Sequence, residues 1–479
     1  MITSTQGILY KASIGGQWMI RSYRIFFWLL ILHSTLGVTY AQAFQNTSSF
    51  RDSQLPLTRI AFGSCSNQSA PQPIWTAILD FRPQLFIWLG DNIYADSKRP
   101  MKFFGKERTA GPWKNVPRFI PATEEEMAKM YNEARNIPGY LELKKTAQVI
   151  GTWDDHDYGL NNAGKEFSGK KASQKLMLDF LEEPHDSLRR VQEGVYTSYL
   201  FGPSGKQIKV VLLDTRYHRD SPFTDGTILG ETQWKWLEKE LSDSTAQVHL
   251  IASSIQVLGN FSATIQPLFL AESWSNFPKE RKRLFNLLSA LKVRGIIFIS
   301  GDVHFGEINR YDCAIGSPLY DVTSSGLTQA IEQTVPSFLA IISRFAAWLM
   351  PTTMRVHNSA CRYKSCVYGK QNFGTLEIDW SADPVTIHAE VRDVLGKSAL
   401  SQNITLAELQ TENWRDNSGL SRKVTKHCTL EVDLPSYSRY ILAFSFFSSV
   451  TASMVVLILA LYSFAILRKR RSYKKLKPY

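Results

Sequence analysis

Short apolar runs punctuate the chain at Arg59 to Gly63, Leu85 to Leu89, Val149 to Trp153, Lys209 to Leu213, Val248 to Ser253 and Gly295 to Ser300. Runs that stay apolar without alternating with polar residues are what strands buried on both faces require. Between several of them the apolar period lengthens to three or four residues. That spacing predicts amphipathic helices over Pro73 to Phe81, Glu124 to Ala134, Lys171 to Leu181, Glu231 to Leu241 and Lys279 to Leu291. Strand alternating with helix predicts an α/β fold with largely parallel pairing. Beyond residue 315 the helical alternation fades, and Leu376 to Ile378 with Val385 to Val391 read as late antiparallel strands, enough for a second sheet. No repeat and no Pro/Gly/Ser linker divides residues 50–430, so one large domain is expected there.

The ends follow different patterns. Arg21 and Arg24 precede the apolar run Ile25 to Leu32 and the triplet Ala41-Gln42-Ala43. This reads as a secretory signal peptide over residues 1–43, the alternative being an uncleaved anchor for which the run is short. No charge interrupts the 28 residues from Tyr440 to Leu467. As a helix they would reach about 42 Å, more than the roughly 30 Å hydrocarbon core. Residues 468–479 follow with seven Lys or Arg and no acid, a stop-transfer cluster that the positive-inside rule keeps in the cytosol. The expectation is a type I single-pass protein with residues 44–439 in the lumen or outside the cell. Its tail fits a dilysine retrieval pattern for the endoplasmic reticulum, or a tyrosine-based sorting signal over Tyr473 to Leu476, or no further address.

Charge supports this division. The formal net charge is +12, but the first 43 residues contribute three cations, the last twelve contribute seven, and residues 44–467 net only +2. A nearly neutral body offers no basic footprint for nucleic acid, which is excluded as the main partner. Sequons at Asn46, Asn67, Asn260 and Asn403 agree with a lumenal body. Of five cysteines, Cys361 and Cys366 are close enough in sequence to bridge and Cys313 and Cys428 are available as a second pair, although four cysteines allow three connectivities. Cys65 is left over, and an odd thiol in an oxidising compartment needs a reason such as metal ligation or an interchain bridge.

In open α/β sheets ligands bind beyond the carboxyl ends of strands. Four of those ends are loaded with chemistry: Phe62-Gly63-Ser64-Cys65, Gly90-Asp91-Asn92-Ile93-Tyr94, Trp153-Asp154-Asp155-His156-Asp157 and Ser300-Gly301-Asp302-Val303-His304. One such residue alone is ordinarily a loop or cap residue. Carboxylates, imidazoles, a thiol and a phenol gathered at one edge would repel or stay unsatisfied without cations, and together they suit a two-metal site.

The ordered set FGSC, LGDNIY, TWDDHDYGLNN, LDTRYHRD, LGETQWKWLE and ISGDVHFGEI resembles the alkaline phosphatase D (PhoD-like) family of metallophosphoesterases, from about residue 58 to 392. The resemblance implies a four-layer αββα sandwich, two facing mixed sheets flanked by helices, with a dinuclear centre that hydrolyses phosphate esters. It implies Asp91 as the bridging carboxylate, Cys65 and Tyr94 on one metal, Asp155, Asp302 and His304 as further ligands, and His156 as the catalytic imidazole oriented by Asp157. Two di- or trivalent ions are expected, iron at the thiolate position with calcium, magnesium or manganese at the other.

Asn92, Asn161 and Arg216 are candidates for contacting substrate. Arg216 equally reads as a structural ion pair, and Asn161 with Asn162 as turn residues. The function expected is a membrane-anchored phosphatase or phosphodiesterase using in-line attack by a hydroxide held near Asp91. The rival is a catalytically silent receptor on the same scaffold. The apolar stretch Pro336 to Pro351 is either core or a flap that admits a membrane-associated ester.

Overall fold

The structure is a computed structural model and describes residues 55–109, 114–222, 226–259, 272–334, 337, 341, 354–411, 426–428 and 436–475. The expected signal peptide, the sequons at Asn46 and Asn260, nearly all of the apolar stretch 336–351 and the end of the tail lie outside the described residues.

Fourteen strands are described: β1 (Arg59–Gly63), β2 (Leu85–Leu89), β3 (Asp96–Lys98), β4 (Phe119–Pro121), β5 (Gln148–Thr152), β6 (Thr197–Phe201), β7 (Ile208–Leu212), β8 (Val248–Ser253), β9 (Ile296–Ser300), β10 (Gly306–Tyr311), β11 (Leu319–Ser324), β12 (Asn372–Asp379), β13 (Thr386–Asp393) and β14 (Ser398–Thr405). One six-stranded sheet has the order β14-β13-β12-β1-β2-β5, the other β10-β11-β9-β8-β7-β6, and β3 with β4 forms a small separate ribbon. In the first sheet β1, β2 and β5 are parallel and β12 to β14 antiparallel. In the second, β7, β8, β9 and β11 are parallel and the edge strands β6 and β10 run against them.

The helices pack outside the sheets, as the amphipathic patterns require. Against the first sheet lie α1 (Ile74–Phe81), α2 (Glu124–Arg135), α3 (Pro138–Thr146), the single turn α4 (Asp155–Tyr158) and α5 (Lys170–Phe180). Against the second lie α6 (Gly230–Ser242) and α7 (Pro278–Ala290). Leu85 to Leu89 is buried at every position, and Phe86 with Trp88 belongs to the helix-side core beside Trp75 and Tyr140. The alternate residues Leu85, Ile87 and Leu89 therefore face the other sheet. The sheets meet closely: a Cβ on Gly306 of β10 would come within 2.5 Å of Val391 Cγ1 on β13. This is the four-layer arrangement expected from the family resemblance. Strands β6, β10, β11 and β14 and helix α3 had no legible pattern, because their partly polar sequences are stabilised by neighbours in the sheet rather than by their own periodicity.

Polar ties close one end of the sandwich. Thr152 Oγ1 at the end of β5 donates to the Leu213 carbonyl after β7 at 2.8 Å. Ser64, after β1, accepts at its carbonyl the N–H groups of Gly326 and Leu327, after β11. The carboxyl ends of β1, β2, β5, β7, β9 and β11 thus share one edge.

The disulfide Cys313–Cys428 marks the opposite end, in the connection from β10 to β11, and the Asp312 N–H also donates to the His427 carbonyl. The second bridge is Cys361–Cys366. Both match the pairing that sequence spacing made available. A last helix, α8 (Ser436–Lys475), contains Phe447–Arg468, 22 residues with mean hydropathy 2.4, long and apolar enough to cross a membrane.

At the metal edge, Gly90 lets the ends of β2 and β5 approach closely. It has φ +102°, and a Cβ there would come 2.5 Å from Asp154 Cβ and 2.6 Å from the Asp154 N. Gly90→Ala should lower stability by more than the ~1–3 kcal/mol of backbone strain alone and separate the ends of β2 and β5. Thermal unfolding with bound-metal analysis checks this, both readings falling together.

Candidate metal centre

Each parallel strand of this edge ends in a turn that aims a functional side chain across the gap. Cys65 (φ 60°), Asp91 (φ 51°), Asp302 (φ 71°) and His304 (φ 60°) all occupy the left-handed region that side-chain-bearing residues avoid. Such strain persists where surrounding structure over-determines it, and four cases at one edge mark a site built for a purpose. Asp91, Asp155 and Cys65 are at most 3% exposed.

Asp91 lies at the centre. Its Oδ2 accepts from the Cys65 thiol at 3.4 Å and from Tyr94 Oη at 3.3 Å, while Oδ1 accepts the His156 N–H at 3.3 Å. Tyr94 Oη is also 3.1 Å from His304 Nε2. Ser325, after β11, places its Oγ 3.0 Å from Cys65 Sγ and accepts the His304 N–H at 2.7 Å. Three groups of donor atoms lie within 4.8 Å of one another: Cys65, Asp91 and His304; Asp91, Asp155 and His156; Asp154, Asp155 and Asp302. Asp91 belongs to the first two and Asp155 to the last two, so the edge offers adjoining ligand sets joined by shared carboxylates.

The electrostatics call for cations. Burial pushes Asp91 well above its usual range, and Asp155, Asp154 and Asp157 add to the rise against the pull of His156. Burial likewise raises Asp302, with Asp154 and Asp155 contributing, and takes Asp154 up to about 6 although Arg216 opposes it. Burial raises both the Cys65 thiol and the Tyr94 phenol, and Asp91 adds to each. Burial pushes His304 down to about 4, which keeps its ring neutral and able to ligate.

Asp155 Oδ1, Asp154 Oδ2 and Asn92 Oδ1 are buried with no donor among the described residues. Orphaned acceptors inside a cluster of carboxylates fit bound cations. A thiol and phenol at one end and oxygen donors at the other fit two ions of different softness.

The other expected residues are placed as follows. Asp157 does not hold the His156 ring. It accepts the N–H groups of Asp154 at 2.6 Å and of Asp91 and Asn92 at 3.2 Å each, so its oxygens are committed to backbone. Asp96 of β3 takes the orienting role, with Oδ1 2.5 Å from His156 Nδ1 and Oδ2 accepting the Asn161 N–H at 2.9 Å. The Tyr94 ring packs on the imidazole at 4.2 Å.

Arg216 is not poised over the edge. It is fully buried, with Nε 2.6 Å from Asp154 Oδ1 and a second pair to Glu272, which also binds Arg219. A buried guanidinium with two carboxylate partners matches the structural ion pair that the sequence also allowed. Asn92 is buried and donates from Nδ2 to the Thr152 carbonyl at 3.1 Å. Asn162 gives its N–H to Asp155 Oδ2 at 2.6 Å.

Sequence reasoning missed Asp96, Asp154 as a candidate ligand, Ser325 and the Glu272–Arg219 pair. Asp96 and Asp154 lay inside or next to the loaded motifs, whereas nothing near Ser325 or Glu272 distinguishes them in sequence.

A family model described as PhoD-like phosphatase matches residues 60–388. The chain belongs to the PhoD-like phosphatase family. Over 181 residues it is 26% identical to alkaline phosphatase D of Bacillus subtilis (strain 168), a stretch that is 32% of this chain and 30% of that relative. The match thus spans less than a third of the relative's length. A solved structure titled as that of PhoD shares the fold, with TM-score 0.50 and 18% identity over 74% of this chain and 69% of the other. Within this PhoD-like chain the matched region holds every member of the three donor groups.

Arg216→Met separates its two possible roles. It leaves Asp154 and Glu272 buried without their counter-charge, and losing one partner of a buried pair costs about 3–5 kcal/mol. The expected outcome is a fall in melting temperature of several degrees. A raised KM with an unchanged melting temperature would return Arg216 to the substrate.

Proposed function

We propose that the protein is a membrane-anchored, metal-dependent phosphoric ester hydrolase whose catalytic domain lies in the lumen or outside the cell. The observation that carries this reading is the sharing of Asp91 between the Cys65–His304 and Asp155–His156 donor groups. Cys65, Asp91, Tyr94 and His304 would hold one ion, and Asp91, Asp155, Asp154 and Asp302 the other. Bound there, such ions would supply an activated hydroxide and positive charge for the phosphoryl oxygens.

The chain's own residues do the rest. Asp96 binds Nδ1 of His156, which leaves Nε2 to hydrogen-bond a phosphoryl or leaving-group oxygen as acid or charge stabiliser. Tyr94 packs on the ring and limits its rotation. Asp157 fixes the backbone that presents Asp91 and Asn92. Arg216, through Asp154, keeps the acidic edge from repelling an incoming phosphate more strongly than its ligand charge requires.

The anchor bears on which substrates arrive. Helix α8 begins eight residues after Cys428, which is bridged to Cys313 at the sheet end opposite the metal edge. Those eight residues reach at most about 28 Å, so the end of the domain away from the site is the one tied near the bilayer. This supports phosphate esters arriving from the aqueous side.

Turnover of p-nitrophenyl phosphate by the full-length protein in detergent, with and without chelator and with metals restored, tests the reading. Metal-dependent hydrolysis is expected, and none under any metal would favour the silent receptor. Asp91→Ala should abolish turnover and release metal. His156→Ala should slow turnover roughly a hundredfold and Asp96→Asn about tenfold, both with metal content retained. Metal loss in His156→Ala would make that residue a ligand.

A further inference from the structure

Residues 44–467 are nearly neutral, yet residues 97–118 hold seven Lys or Arg against one acid, Glu107. This segment leaves β3 and returns through β4, and β3 supplies the Asp96 that holds the His156 ring. Lys98 pairs in register with Phe119, its Nζ 5.7 Å above that ring, which in turn lies 5.9 Å from the His156 ring. The ladder continues one step outward, the Arg99 N–H donating to the Arg118 carbonyl at 2.9 Å. Arg99 and Arg118 therefore stand opposite each other. Opposed side chains share a face and sit about 5 Å apart at Cβ, where like charges repel.

Arg99 Nε and Arg118 Nη1 are shielded from solvent and donate to no acceptor among the described residues. The same holds for Nε of Arg108, whose carbonyl receives the N–H groups of Asn115 and Val116. One acid cannot neutralise seven cations. Arg99 and Arg118 are only half-buried, so part of each guanidinium remains open to solvent, and paired guanidiniums are the donor fork that phosphate oxygens accept from bidentately.

We propose that Arg99 and Arg118 form a binding site for a phosphate group other than the one being hydrolysed. Arg99 is three residues from Asp96, about 10 Å along the strand, so one extended ester can reach both the metal edge and the arginine pair. The inference rests on the proposed hydrolase function and deepens it: the preferred substrates carry two or more phosphates. The headgroup of a lipid dissolved on the aqueous side presents the same phosphate chemistry from a second source.

The test uses a matched pair of probes, fructose 1,6-bisphosphate and fructose 6-phosphate, with full-length protein in detergent and its metals. Wild type is expected to favour the bisphosphate at least tenfold in kcat/KM, mainly through KM, and Arg99→Gln with Arg118→Gln to bring the preference to about one. Because the substitutions relieve repulsion, the melting temperature without ligand should hold or rise. Absence of a wild-type preference, or an unchanged preference in the variant, overturns the proposal.

If wild type hydrolyses neither sugar, the hydrolase reading has failed. Calorimetric binding of the two sugars then judges the arginine site alone, tenfold weaker bisphosphate binding in the variant supporting it and equal binding overturning it. Dioctanoyl phosphatidylserine, soluble below its micelle concentration, forms the other arm. Competition lost in the variant assigns the site to headgroups as well, and competition that persists restricts it to soluble phosphates.

Discussion

Mutual repulsion among buried carboxylates is the constraint on which the rest of this structure depends. Asp91, Asp154, Asp155, Asp157 and Asp302 converge at one sheet edge, and Asp91, Asp154, Asp155 and Asp157 are each at most 3% exposed. Taking even one such charge out of water costs several kcal/mol. The chain meets that cost in distinct ways: backbone N–H groups on Asp157, the Arg216 guanidinium on Asp154, the His156 ring near Asp91 and Asp155, and ligand geometry that bound cations would complete. The left-handed turns at Cys65, Asp91, Asp302 and His304 are further costs that only a strongly held edge sustains.

The edge is held because two sheets share the work. The first supplies Cys65, Asp91 and the Asp154–Asp157 turn. The second supplies Asp302, His304, Ser325 and, through Arg216, the buried counter-charge. Neither sheet alone carries a complete donor group around Cys65, since His304 comes from across the sandwich. Metal occupancy and sheet packing are therefore linked, and a defect such as crowding at Gly90 acts on both.

Around this edge, charge is sorted by place. Acids gather where cations belong, and the strap from β3 to β4 gathers arginines and lysines at the rim. That sorting is invisible in a net charge, because the two excesses cancel. Cys428, which precedes the apolar C-terminal helix, is bridged to Cys313 at the end of the sandwich opposite the acidic edge.

Much of this was legible in the sequence. Continuous apolar runs such as Leu85 to Leu89 exposed the buried strands because burial on both faces leaves no polar position. The residues just beyond them exposed the site because parallel strands deliver their carboxyl ends to one edge. Cys65, Asp91, Asp155 and His304, which fall in the candidate donor groups, stand in those strand-end motifs. The sequence could not decide which carboxylate holds the His156 ring. Asp157 is adjacent in the chain and Asp96 is sixty residues away, yet helix α4 turns Asp157 toward the backbone and the ribbon brings Asp96 to the ring. Nor could it decide between a phosphate-binding and a buried Arg216, because that turns on Glu272 approaching from a distant segment. Periodicity and strand-end chemistry are local properties written along the chain. Pairing of charges depends on distances of a few ångströms between remote residues, and only the packed sheets set those.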